Sequence, residues 1–101
     1  MIPAVQNFRT YGLAIEFHKE CSQLKLRPSL KDQLQRASDS IVLNLAEGSA
    51  RPTPKDRARF YGIALASFRE CQAAIQLGGD TELLTRFDHQ GACLYKLSRS
   101  A

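Results

Sequence analysis

Proline and glycine residues divide the chain into four segments, and each segment carries apolar residues at the three- and four-residue spacing of an α-helix. Pro28 separates the first two segments, Pro52 and Pro54 lie between the second and third, and Gly78 and Gly79 close the third. The pattern predicts helices over about residues 8–26, 29–47, 54–77 and 81–97. No stretch has the alternation typical of a hairpin, so we expect an all-α protein.

Short connections between helices favour antiparallel neighbours, and the four segments therefore predict an up-down-up-down antiparallel four-helix bundle. The apolar stripe of the third helix runs from Phe60 through Ile63 and Phe68 to Ile75. The fourth helix has the weakest pattern because Gly91 lies in its middle. A chain of 101 residues suffices for one domain and not for two, so we expect a single bundle over residues 1–101.

The second helix carries more apolar surface than such a bundle buries. Ile41 and Leu45 lie on its core face at 100° per residue. The opposite side is apolar as well, and consists of Val42, Leu43 and Ala46. A helix that is apolar all round is normally buried all round, so we expect these three residues to contact a second copy of the chain. The alternative is that the chain termini cover them.

Polar residues also lie beside the predicted core. Six of them follow the edges of the second and third helices: Arg36, Ser40, Asn44, Glu47, Ser67 and Glu70. A serine within an apolar stripe needs a hydrogen-bond partner, so we interpret the six as a polar network that fixes the register of helices or subunits. A ligand-binding or catalytic site is the alternative. The group lacks a histidine that could act as a base near neutral pH, which disfavours catalysis.

Basic residues concentrate at the start of the third helix. The chain has a net charge of +4, and residues 51–70 hold five basic and two acidic residues. The densest group is Arg51, Lys55, Arg57 and Arg59, which we predict to contact phosphate, although a solvated helix start would have the same composition. A second basic surface at the first helical turn-around is a weaker hypothesis, formed by Arg9, Lys25, Arg27 and Lys31.

Motifs for metal binding and catalysis are missing from the sequence. Cys21, Cys71 and Cys93 form no closely spaced pair, and we expect them to be reduced, apolar thiols. His18 with Cys21, and His89 with Cys93, would supply only two ligands each, so we expect no metal and no cofactor. No nucleophile elbow or phosphate-binding glycine loop occurs, which predicts a protein that is not an enzyme. Neither a signal peptide nor a membrane-spanning apolar run is present, and we expect a cytoplasmic protein without membrane contact.

Two stretches of the sequence match a known signature. Residues 36–51 read RASDSIVLNLAEGSAR and fit the pattern RA..SI..NIAEG..R, while residues 33–37 fit the preceding QL.RA. Residues 60–70 fit F..iA..S..E. These stretches resemble the bacterial four-helix-bundle proteins encoded in intervening sequences of 23S ribosomal RNA genes. The resemblance covers about residues 8–78.

The resemblance implies a ring-like homopentamer with a central channel and no enzymatic activity. The related accessory proteins of diversity-generating retroelements share the pentameric bundle, bind nucleic acid through a basic surface and associate with a reverse transcriptase. By similarity we expect self-assembly and binding of rRNA or another nucleic acid. A protein-interaction scaffold for a reverse transcriptase or a ribosomal component is the alternative.

Overall fold

The computed structural model describes the backbone of residues 5–100 and the side chains of residues 9–99. It contains five helices, and no strand occurs in this part of the chain: α1 (Val5–Gln23), α2 (Pro28–Ser49), α3 (Pro54–Gly78), α4 (Glu82–Arg86) and α5 (Asp88–Ser100). The expected all-helical class is confirmed. The predicted domain limits at residues 1–4 and 101 lie outside the described residues. Within residues 5–100, no helix combines the length and apolar character needed to cross a bilayer.

Polar contacts align α1 with α2. Lys31 of α2 donates to the carbonyl oxygens of Ser22 and Leu24 at 2.8 and 2.5 Å, and so satisfies acceptors that the end of α1 leaves free. Further along, His18 Nε2 lies 2.6 Å from Asp39 Oδ1. The end of α1 thus contacts the start of α2, whereas His18, earlier in α1, contacts Asp39, further along α2. The two helices therefore run in opposite directions.

The core joins α1, α3 and the C-terminal helices through three aromatic rings. The centroid of Phe17 lies 5.4 Å from that of Phe68 and 5.2 Å from that of Phe87. The apolar stripe of α3 differs from the predicted one at its start, because Tyr61 is buried while Ile63 is 40% exposed. Phe60 is only half-buried and does not belong to the core. Periodicity identified the face of α3 correctly, but the core begins at Tyr61.

The predicted fourth helix is two helices, and the break does not fall at Gly91. The chain leaves helical geometry at Phe87, where φ is −110° and ψ is 22°, and this turn directs the Phe87 ring towards Phe17. Gly91 lies within α5 and is buried. A Cβ at this position would lie 3.0 Å from the Phe68 ring, so the glycine permits α5 to approach α3.

Helices α2 and α3 are in close contact at Gly48. A Cβ added there would lie 2.8 Å from Tyr61 Cε1 and 3.0 Å from Phe60 Cβ. Both neighbours belong to α3, and the Tyr61 ring is 2% exposed, so it has little room to move. The absence of a side chain at Gly48 therefore sets the distance between the two helices at this end of the domain.

We expect Gly48→Ala to lower the free energy of unfolding by about 1–3 kcal/mol, because the added methyl group must displace the Tyr61 ring or the α3 backbone. The matched control is Gly12→Ala. Gly12 is exposed in the middle of α1, and a Cβ there would meet no atom within 4 Å. The control should raise the stability by roughly 0.5–1 kcal/mol, the ordinary helix preference of alanine over glycine. Urea unfolding followed by circular dichroism measures both changes, and equal stability of the Gly48 variant and the wild type would contradict the tight contact.

Candidate nucleic-acid interface

The four basic residues predicted to contact phosphate lie where the chain passes from α2 into α3. Thr53 caps α3 by accepting a hydrogen bond from the Asp56 amide at 3.2 Å, and Pro54 occupies the first turn. This defined start orients the basic side chains of the first two turns. Lys55 and Arg59 are one turn apart and both exposed, so they share one edge of the helix.

Arg51 and Arg57 are held in place by their own chain. Arg51 Nη2 donates to Glu47 Oε2 at 2.5 Å, one turn earlier along the chain, and Arg57 Nη1 donates to the Arg51 carbonyl at 3.0 Å. The side chains of Lys55 and Arg59, in contrast, form no ion pair or hydrogen bond with another described residue. The cluster therefore consists of two anchored cations and two cations that are available to an anionic partner.

An aromatic ring lies within this cluster, a feature that sequence reasoning missed. The guanidinium carbons of Arg51 and Arg59 lie over the Phe60 ring, 4.8 and 4.4 Å from its centroid. Both distances are within the range of cation–π attraction. The helical spacing assigned Phe60 to the core, but α2 ends at Ser49, and the ring lies near this end of the helix pair. Its arginine neighbours are Arg51 of the α2–α3 connection and Arg59 of α3. The adjacent Arg59-Phe60 pair was the available signal.

The predicted polar network forms with three of its six members. Ser67 Oγ donates to Ser40 Oγ at 2.7 Å, and Asn44 Nδ2 donates to the Ser40 hydroxyl and carbonyl oxygens at 3.0 and 2.9 Å. The serine in the α3 stripe, which is 6% exposed, thus finds its partner on α2. Glu47 does not join this network, because its carboxylate binds Arg51.

Arg36 and Glu70 lie beside the network without bonding to it. With Gln33 and the two serines they line a cleft of about 330 Å³ between α2 and α3. Both charged side chains are exposed, and neither forms an ion pair within residues 9–99. The hydroxyl pair therefore fixes the helix register, while Arg36 and Glu70 form the open rim of the cleft.

The second apolar face of α2 is partly covered by the chain itself. Val42 is half-buried against the core, and Ile15 and His18 of α1 lie beside it in a shallow groove. Leu43 remains 66% exposed, and Ala46 is exposed as well. Among the three predicted interface residues, Leu43 presents the largest open apolar surface.

The second basic surface assembles only in part. Lys31 donates to two carbonyl oxygens at the end of α1, so its ammonium group is occupied. Arg9 lies near the other end of that helix, about 21 Å from Gln23 at 1.5 Å per residue. The Lys25 side chain, in contrast, lines a shallow groove together with Lys31 at the connection between α1 and α2.

The cysteines and histidines do not form a metal site in the described part of the chain. No group of three potential ligands occurs there. His18 binds Asp39, rather than facing a ligand set with Cys21. Burial raises the pKa of the Cys21 thiol to about 12 and also raises the pKa of Cys71, so both thiols stay protonated and unreactive at neutral pH.

We expect Ser67→Ala to lower the free energy of unfolding by about 1 kcal/mol, because it removes the one hydroxyl bond that links α2 to α3 in this network. Ser22→Ala is the matched control, since Ser22 is exposed and its hydroxyl bonds only within its own helix, to the Lys19 carbonyl. Its effect should stay within about 0.5 kcal/mol. Equal effects of the two substitutions in thermal or urea unfolding would show that the Ser40–Ser67 contact does not set the register.

The chain matches the family described as 23S rRNA-intervening sequence protein over residues 6–98. No curated protein and no solved structure matches the chain. The match includes α2 and α3 with both signature stretches, and also the C-terminal helices. Because it spans nearly the whole sequence, the chain belongs to the 23S rRNA-intervening sequence protein family.

Proposed function

We propose that this protein is a non-enzymatic binding module that binds RNA or another nucleic acid through the cationic cluster at the α2–α3 connection. The observation that carries the proposal is the pair of exposed, unpartnered cations, Lys55 and Arg59, beside the anchored Arg51 and Arg57. A polyphosphate chain is the partner that an open basic edge of this kind attracts without a shaped pocket. The family membership supports a connection with ribosomal RNA.

The second part of the proposal is self-assembly of an up-down four-helix bundle into a pentameric ring. The opposite directions of α1 and α2 support the bundle topology. The exposed Leu43 and Ala46 support a subunit contact on α2, because burial of an exposed leucine contributes about 1.5–3 kcal/mol. A ring would repeat the cationic cluster around its axis and turn a modest charge into a large positive field.

A protein-interaction scaffold is the second candidate function. Leu77 and Tyr95 are 69% and 51% exposed, and they lie on α3 and α5 rather than on the α2 face. Both side chains lie outside the proposed subunit contact on α2, so they are open to a different protein. A reverse transcriptase or a ribosomal component is the kind of partner that this candidate function would involve.

We expect the protein to bind structured RNA at about 50 mM salt and to lose most of this affinity by about 200 mM, because the contacts are to phosphate. Lys55→Glu should raise the Kd roughly fivefold and reduce the dependence on salt by about one phosphate contact. Lys19→Glu is the matched control, because it makes the same change in net charge at an exposed site on α1. Fluorescence anisotropy measures all three proteins, and equal losses in both variants would show that only net charge matters.

We expect Leu43→Asp to give a soluble species of smaller mass, since a carboxylate in an apolar subunit contact loses its hydration without gaining a partner. The matched control is Leu77→Asp, which places the same charge on a leucine that is equally exposed but lies on α3. The control should keep the mass of the wild type. Multi-angle light scattering after size exclusion measures the molar mass of the wild type and both variants. A monomeric wild type at micromolar concentration would refute self-assembly.

A further inference from the structure

The guanidinium group of Arg59 is oriented by an aromatic ring and by nothing polar. Its carbon lies 4.4 Å from the Phe60 centroid, and its side chain forms no hydrogen bond or ion pair with another described residue. The side chain is exposed, so the group has a supported side towards Phe60 and an open side towards solvent. Every one of its donors is also free for a ligand.

The ring beneath Arg59 is itself fixed. Phe60 Cβ lies against the Gly48 backbone, where α2 and α3 are in close contact. Arg51 also lies over the ring at 4.8 Å, and its guanidinium is held by the Glu47 carboxylate. Arg51, Phe60 and Arg59 therefore form a stack. Of the two guanidinium groups, only that of Arg59 is without a polar partner among the described residues.

We propose that Arg59 on Phe60 is a stacking platform for an unpaired nucleobase, so that the interface prefers single-stranded RNA to duplex RNA. This inference rests on the proposed nucleic-acid binding and names the form of nucleic acid that is bound. Arginine planes stack on bases that are splayed out of a helix, whereas bases in a duplex already stack on each other and offer no free face. Lys55, one turn away on the same edge, contacts the phosphate beside the stacked base.

The preference for single-stranded RNA follows from the contacts that each form of RNA makes with Lys55 and Arg59. A duplex contacts Lys55 and Arg59 through phosphate alone, and this attraction depends chiefly on the charge of the side chain. A single strand adds the contact between base and guanidinium plane, which a lysine ammonium cannot replace because it is compact and not planar. Arg59→Lys therefore separates charge from stacking at one position.

The test compares an unstructured RNA of about 12 nucleotides with a blunt duplex of the same length by fluorescence anisotropy at about 50 mM salt. We expect Arg59→Lys to weaken binding of the single strand about tenfold and binding of the duplex less than twofold. Arg69→Lys is the matched control, since it makes the same exchange at an exposed arginine of α3 outside the cluster, and it should change neither affinity more than twofold. Phe60→Leu keeps an apolar side chain over Gly48 but removes the ring, so it should reproduce the selective loss.

The outcomes are distinct. A selective loss of single-strand affinity in Arg59→Lys and Phe60→Leu, with unchanged circular dichroism, supports the platform. Equal affinities of the wild type for both RNAs, or a loss in Arg59→Lys that is the same for both, overturns the platform and leaves phosphate binding in place. Absence of binding to either RNA by the assembled wild type at low salt overturns the proposed function itself.

Discussion

Helices α2 and α3 meet at two positions where small side chains let their backbones come close. At Gly48 a methyl group would lie 2.8 Å from the Tyr61 ring, and about two turns earlier in α2 the hydroxyl oxygens of Ser40 and Ser67 are 2.7 Å apart. The first contact sets the distance between the helices and the second sets their register. Because α1 packs on α2 and α5 packs on α3, the rest of the domain depends on this pair.

The same contact assembles the cationic cluster. Gly48 stands between Glu47, which binds Arg51, and the Phe60 side chain, which lies against its backbone. The approach of the helices therefore places the anchored Arg51 over the ring, and the guanidinium of Arg59, the preceding residue of α3, also lies over it. The contact that stabilises the helix pair and the proposed binding site thus share residues.

Sequence reasoning succeeded where a local rule acts and failed where the neighbours of a residue matter. Proline and glycine positions predicted the limits of α3 to within a residue, because caps and breakers act within one turn. The break at Phe87 was missed, since the ring turns towards Phe17, a residue seventy positions earlier. Gly91 was interpreted as a weak point of a helix, although its missing side chain lets α5 pack closely against Phe68.

The sequence by itself determined the helical class, the family signature and the presence of a basic stretch, since each depends on the order of residues along the chain. Only the tertiary structure decided which cations are available, because Glu47 binds Arg51 while Lys55 and Arg59 remain without a polar partner among the described residues. The tertiary structure also decided that the Phe60 ring lies in the cationic cluster and not in the core. Periodicity states which face of a helix a residue occupies, but not how far the neighbouring helix extends, and α2 ends before it can cover this ring.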